Sequence, residues 1–237
     1  MVETQAAPKR FYTAAEIAAG PDGFVLTLDG RPARTPGRVP LALPTRALGE
    51  AVAAEWAAQG ERILPATMPL TRLANTAIDG VARELAAVRA DLARYAGSDL
   101  VAYRAADPEP LVAAQSAAWD PVLEWARTDL GARFVLSQGV TYVDQPELSL
   151  ARIREALERH DSPFAVAALH VMTTLTGSVL IALMHGAGRL GREEAWRAAH
   201  VDELFQESRW GLDSEAAERR ALREAEFTAA STVLRLG

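Results

Sequence analysis

From Ser162 to Gly188 the chain carries no formally charged side chain. A segment of that length exceeds the ~20 residues that cross a bilayer as a helix. Few surface segments go so long without a charge, so it belongs either in lipid or at the centre of a protein core. His170, Thr173, Thr174, Thr176, Gly177, Ser178 and His185 interrupt it. Those groups are costly against hydrocarbon but readily satisfied between helices. The pattern therefore predicts a central helix buried on all sides, started by Ser162-Pro163 and stopped by Gly186. No membrane insertion is expected.

The rest of the chain must then wrap this helix. Residues 8–66 read as a small β-rich domain and residues 67–237 as a larger all-helical domain, giving an α+β fold class. Phe24, Leu26 and Leu28 alternate with Val25, Thr27 and Asp29, the period of a half-buried strand. Asp29-Gly30 is a tight-turn signal. Arg31 to Thr35 would return, and Val39 to Leu43 would form a third short strand. Pro40 and Pro44 confine that strand to an edge.

Helical periods follow. Thr45 caps a helix bearing Leu48, Val52 and Trp56, ended by Gly60. Pro69 opens a second, with Leu70, Leu73, Ala77, Ile78 and Val81 on one face. Leu85, Val88, Leu92 and Tyr95 mark a third. Leu111, Gln115 and Trp119 mark a fourth, broken or restarted at Asp120-Pro121 before Val122, Leu123 and Trp125. Phe134 and Leu136, then Val140 and Tyr142, alternate around Gly139 and predict a short hairpin or an extended excursion. Ser149 to His160 is a short helix. Arg192 to Trp210 reads as one helix. Asp213 or Ser214 caps the last, with Leu222, Ala225, Ala229 and Val233 inward.

Composition removes several function classes. The net charge is -6 and the arginines are interleaved with acids, so nothing resembles a stripe that tracks phosphates, and no nucleic acid partner is expected. Cysteine is absent. That excludes disulfides, thiol nucleophiles and cysteine-based metal sites, and it fits a reducing cytoplasm. Met1 to Arg10 lacks the apolar stretch of a signal peptide.

Catalytic motifs are weak. Gly186, Gly188 and Gly191 spell G-x-G-x-x-G, but a dinucleotide site needs them inside a βαβ unit, and glycines that end helices explain them better. His160, His170, His185 and His200 include no i, i+4 pair of the kind that holds zinc on a helix. His200 and Glu203 lie one turn apart and could form an acid–base pair or a plain surface contact. No cofactor, metal or small-molecule substrate is expected. A helical enzyme using the glycine cluster, or an adaptor for some other protein, are the competing readings.

One stripe fits neither core nor ordinary surface. On a helix over Arg192 to Trp210, Val201, Leu204, Phe205 and Ser208 form one face. Trp196, Glu203 and Trp210 recur at seven-residue spacing on the opposite face, with Gln206 beside them. Either this helix lies between two layers with its tryptophans in the core, or aromatic anchors around a carboxylate form a partner patch. Trp56, on the Leu48–Val52 stripe, reads as a structural anchor between the first helix and the β-rich domain.

Several segments carry a family resemblance. They are KRFY (Lys9 to Tyr12), DGRPARTP (Asp29 to Pro36), AAEWAAQGERILPATMPLTRLANTAIDG (Ala53 to Gly80) and SDLVAYRA (Ser98 to Ala105). Gln115, WDPVLEW (Trp119 to Trp125), LTGS (Leu175 to Ser178) and DELFQESRWGLDSEA (Asp202 to Ala216) complete the set. In this order and over nearly the whole chain they resemble the ATP synthase F(1) assembly chaperones specific for the α subunit, the Atp-twelve family. The resemblance implies a protein that is not an enzyme, one that binds the free α subunit without ATP until the β subunit takes its place. It also implies that the family's functional acid falls at Asp202-Glu203, where relatives carry two acids of one type and this chain carries Asp then Glu. Asp202, Glu203, Gln206, Trp210 and Trp196 are the expected partner-binding residues. A bacterial cytoplasmic form is expected, or a mitochondrial matrix protein if the chain is a processed organelle form.

Overall fold

A computed structural model describes residues 7–139, 141–211 and 214–237. Its first element was not anticipated. Strand β1 (Ala15–Gly20) pairs antiparallel with β2 (Gly23–Leu28), Gly20 facing Gly23 across a tight turn. Gly23 has φ +125, and a Cβ there would lie 2.3 Å from the Leu43 carbonyl oxygen, so only glycine fits. The expected turn at Asp29-Gly30 leads to β3 (Arg31–Pro32), and β4 (Ala42–Leu43) pairs with β2 on the same side. An isolated bridge between Arg34 and Pro40 closes the loop between them. The Asp29 carboxylate accepts the amides of Thr13 and Ala14 at 3.0 and 2.8 Å, which holds its pKa below the usual range.

Thr45 Oγ1 accepts the Leu48 amide and starts α1 (Arg46–Ala57), which buries Leu48 and Val52. Glu55 on α1 reaches the N-terminus of α2 (Pro69–Thr76) and accepts the amides of Leu70 and Thr71 at 2.7 and 2.8 Å. Its partial burial raises its pKa, an effect those amides oppose. After a wide turn (Ala77–Val81) comes α3 (Leu85–Tyr95). Helix α4 (Glu109–Asp129) runs through Pro121 without the expected break. Trp119, Val122 and Trp125 are buried on both sides of the proline, and that packing outweighs the missing backbone hydrogen bond.

The extended excursion is present, but as β6 (Ser137–Gln138), which pairs parallel with β5 (Tyr103–Arg104) rather than folding on itself. Val140, placed in that alternation, lies outside the described residues. Helix α5 (Glu147–Glu158) follows.

The uncharged segment is buried, as its composition required, but it forms two helices. Helix α6 (Pro163–Thr176) ends at Gly177, φ 70, and α7 (Val179–Gly186) begins one residue later with Ser178 as its cap. The glycine leaves the helical region and the Ser178 hydroxyl accepts the Ile181 amide at 3.0 Å. Among the described residues, no helix is long and apolar enough to cross a membrane. The break is secured from outside the segment. Asp99 is fully buried and accepts the amides of Leu180 at 3.1 Å and Val101 at 3.2 Å. Burial pushes its pKa up to about 6, against the lowering effect of those donors and Ser178.

Helix α10 (Ser214–Leu236) packs along α6. It buries Phe227, Ala229, Ala230 and Val233. Leu222 and Ala225, expected inward, are exposed. Asp213, one of two expected caps, lies outside the described residues. The glycine cluster is helix punctuation: Gly186 ends α7, Gly188 has φ 69, and Gly191 caps α8 (Arg192–Ala199), its amide donating to Glu194 at 2.9 Å.

Candidate functional site

The stretch from Arg192 to Trp210 is not one helix. It is interrupted at His200, where α8 ends and α9 (Val201–Trp210) begins. The physical cause is local. The His200 ring is buried and its Nδ1 lies 2.8 Å from the Trp196 carbonyl oxygen. The ring also packs on the Trp196 indole, centroids 3.9 Å apart. This turns the backbone out of helical geometry (φ −122, ψ 27).

The interruption divides the expected stripe. Trp196 is a core residue, packed on Phe227 at 5.3 Å between centroids. It cannot touch a partner, which corrects its place among the binding residues. Trp210 is 79% exposed. Glu203 and Gln206 are also exposed. The core reading thus describes the first tryptophan and the surface reading the second.

Helix α9 contains no buried residue. It stands between hollows. On one side it forms, with α10, a cavity of about 460 Å³ lined by His200, Glu203, Gln206 and Trp210 and by Arg219, Arg220 and Arg223. A second hollow of about 530 Å³ joins Asp202, Glu203 and Gln206 to the Thr174–Gly177 turn. On the other side Val201, Leu204 and Phe205 close an apolar groove against α4 and α8.

The charges in the cavity are mostly engaged. Arg220 grips both oxygens of Glu207, one at 2.9 Å, and its pKa rises through that contact. Arg223 donates to the Leu175 carbonyl at 2.7 Å, and Arg219 pairs with Glu215. Asp202 Oδ1 accepts a hydrogen bond from Gln115 Nε2 at 2.7 Å. Glu203 has no such partner among the described residues; it acts on His200 and Arg220 only through its field. Burial lowers the His200 pKa, so the ring is neutral at pH 7. Its Nδ1 is already occupied, and no hydrogen bond joins it to Glu203. No acid–base pair is assembled.

Trp56 lies away from this region. It is half-buried, its ring 5.6 Å from that of Tyr12, and its Nε1 donates to Thr71 Oγ1 at 3.1 Å. Tyr12 in turn donates to the Trp56 carbonyl at 2.8 Å. Among the described residues, no three His, Asp or Glu side chains cluster as a metal site.

Sequence reasoning missed the residues that mount α9. Arg220 on α10 gave no signal. Gln115 gave one: a long polar side chain on the otherwise apolar Leu111–Trp119 stripe.

Comparison with known proteins places this geometry. The family model described as ATP12 chaperone protein matches residues 9–127. The fold is similar to that of the Atu1473 protein from Agrobacterium tumefaciens, with TM-score 0.93 and 49% identity over 97% of this chain and 86% of that one. It is also similar to Atp12 from Paracoccus denitrificans, with TM-score 0.89 and 42% identity over 97% of this chain and 98% of that one. An aspartate-to-lysine mutant of the Paracoccus denitrificans protein matches equally, covering 97% of each chain.

Proposed function

The chain belongs to the ATP12 chaperone family, and from that premise we propose that it holds the free α subunit of F-type ATP synthase, without ATP, until the β subunit replaces it. The observation that carries this reading is α9 itself. A helix with no buried residue, an indole 79% exposed at its end and an unpaired carboxylate in its first turn is poor at stabilising a fold. It suits recognition, because aromatic anchors beside a charged group supply most of the energy of many interfaces.

The client's chemistry fits. An unassembled α subunit exposes apolar surface meant for a neighbour, and such surface drives aggregation. Asp202, Glu203, Gln206 and Trp210 are the contact residues in this proposal; Trp56 is an anchor within the fold. The absence of a phosphate-binding loop in the sequence supports action without nucleotide. We assign the protein to the bacterial cytoplasm; fractionation of the native cells tests this.

Co-expression of tagged chain with the α or the β subunit separately tests the assignment. Capture of α and not β, unchanged when nucleotide is removed, is the expected result. Capture of β alone, or of neither, refutes it.

A further inference from the structure

We infer that Gln115 is a positioning residue for the client site, setting the register of α9 through Asp202. Helix α9 buries no side chain completely, so apolar packing defines its placement loosely. It begins after the interruption at His200 and ends at Gly211, which has φ +91. Its two ends are instead held by polar ties: Arg220 to Glu207 near the C-terminus, and Gln115 to Asp202 in the first turn.

The Gln115 tie is made from within the core. Its side chain is 2% exposed. Its Nε2 donates to Asp202 Oδ1 at 2.7 Å while its Oε1 accepts the Ala105 amide at 2.8 Å. The amide therefore links three parts of the fold, namely α4, the strand exit at Ala105 and α9. Both ends are satisfied, which fixes the rotamer and orients the Asn/Gln-type oxygen and nitrogen without ambiguity. Adjacent residues on a helix point about 100° apart. Drawing Asp202 onto α4 therefore turns Glu203 toward the cavity, where it has no partner of its own. On this reading Asp202 lines the site and also fixes the placement of α9 through its bond to Gln115, while Glu203 presents the untied charge.

The inference rests on the proposed client site, so its test has a readout that needs no client. In Gln115→Glu the Ala105 bond is kept, but two carboxylates face each other where an amide met one. Asp202→Asn keeps the original bond, because its carbonyl oxygen can still accept. The double variant Gln115→Glu/Asp202→Asn restores a bond with donor and acceptor exchanged. Amide hydrogen exchange at Leu204 and Phe205, inside α9, reports its placement.

Gln115→Glu should speed that exchange about tenfold or more, the scale of losing a hydrogen bond to a charged group, and should weaken α-subunit capture by a similar factor. The double variant should return both to the level of Asp202→Asn alone. If Gln115→Glu does not fold, recovery of the fold in the double variant reads out the same reciprocity. Unchanged exchange in Gln115→Glu, or no recovery in the double variant, overturns the role of Gln115. If exchange follows the swap but no variant, nor the wild type, captures α, the positioning role stands and the client assignment falls. If the wild type captures α while exchange ignores the swap, the reverse holds.

Discussion

Replacing Asp99 by asparagine removes the one acidic group that holds the break between α6 and α7. The carboxylate is fully buried and its pKa is raised from 3.8 to about 6. In the unfolded chain it returns to its ordinary value. Between about pH 4 and 6 the folded state therefore binds more protons than the unfolded state, and this group makes stability fall as pH rises. A shift of about 2 units corresponds to roughly 3 kcal/mol, the difference between its contribution below pH 4 and at pH 7. Asparagine cannot titrate. It also turns an N–H₂ toward either the Leu180 or the Val101 amide, a mismatch costing about 1–3 kcal/mol at every pH. Urea unfolding of wild type and Asp99→Asn at pH 4, 5, 6 and 7 isolates the term, because other groups cancel in the difference. The stability advantage of the wild type should be largest at pH 4 and shrink by about 2 kcal/mol by pH 7. A constant difference, or one that grows with pH, would refute the reasoning. Growth would mean that the amide donors, not burial, set the charge state.

Two further outcomes are expected. Trp56→Arg puts a charge into a half-buried site and removes the bond to Thr71; it should lower stability by roughly 2–4 kcal/mol, read as a lower urea midpoint. An unchanged midpoint with lost client capture would make Trp56 an interface residue. Glu207→Gln weakens the grip of Arg220, two side chains about one-fifth exposed; global stability should fall by about 1 kcal/mol, while hydrogen exchange in α9 accelerates more than in α10. Equal acceleration in both helices contradicts the claim that this pair mounts α9.

Much of the architecture was legible because it rests on local chemistry. Thr45, Ser162 and Pro69 start helices where their side chains predict, and the uncharged segment is buried. Strand β1 was hidden because four of the six residues from Ala15 to Gly20 are alanine or glycine; its strand character comes from pairing with β2, not from its own pattern. The errors over α4 and α6 have opposite signs. Pro121 is tolerated because buried tryptophans flank it. Gly177 breaks a long uncharged run because Ser178 and the distant Asp99 satisfy the new helix end. Both outcomes depend on packing and hydrogen bonds that the periodicity of the segment does not show.

The site was half legible for the same reason. Seven-residue spacing found Glu203 and Trp210, but the interruption at His200 depends on a ring-to-ring contact with Trp196 that periodicity does not register. The two tryptophans look equivalent in sequence, yet one lies in the core and the other on the surface. The polar ties from Gln115 and Arg220 span 87 and 13 residues, and only the fold brings those groups together.

The most direct test of the account is the affinity of the α subunit for wild type and for Glu203→Lys, measured by titration calorimetry, with Asp202→Lys alongside. Glu203 is exposed and unpaired, so its reversal should change folding stability by no more than about 0.5 kcal/mol. Set against a basic group of the client, the same reversal should cost several kcal/mol of binding, about a hundredfold or more in affinity. Asp202→Lys should weaken capture too, but together with faster exchange in α9, since it breaks the Gln115 tie. If both variants fold normally and bind the α subunit with wild-type affinity, α9 is not the client site.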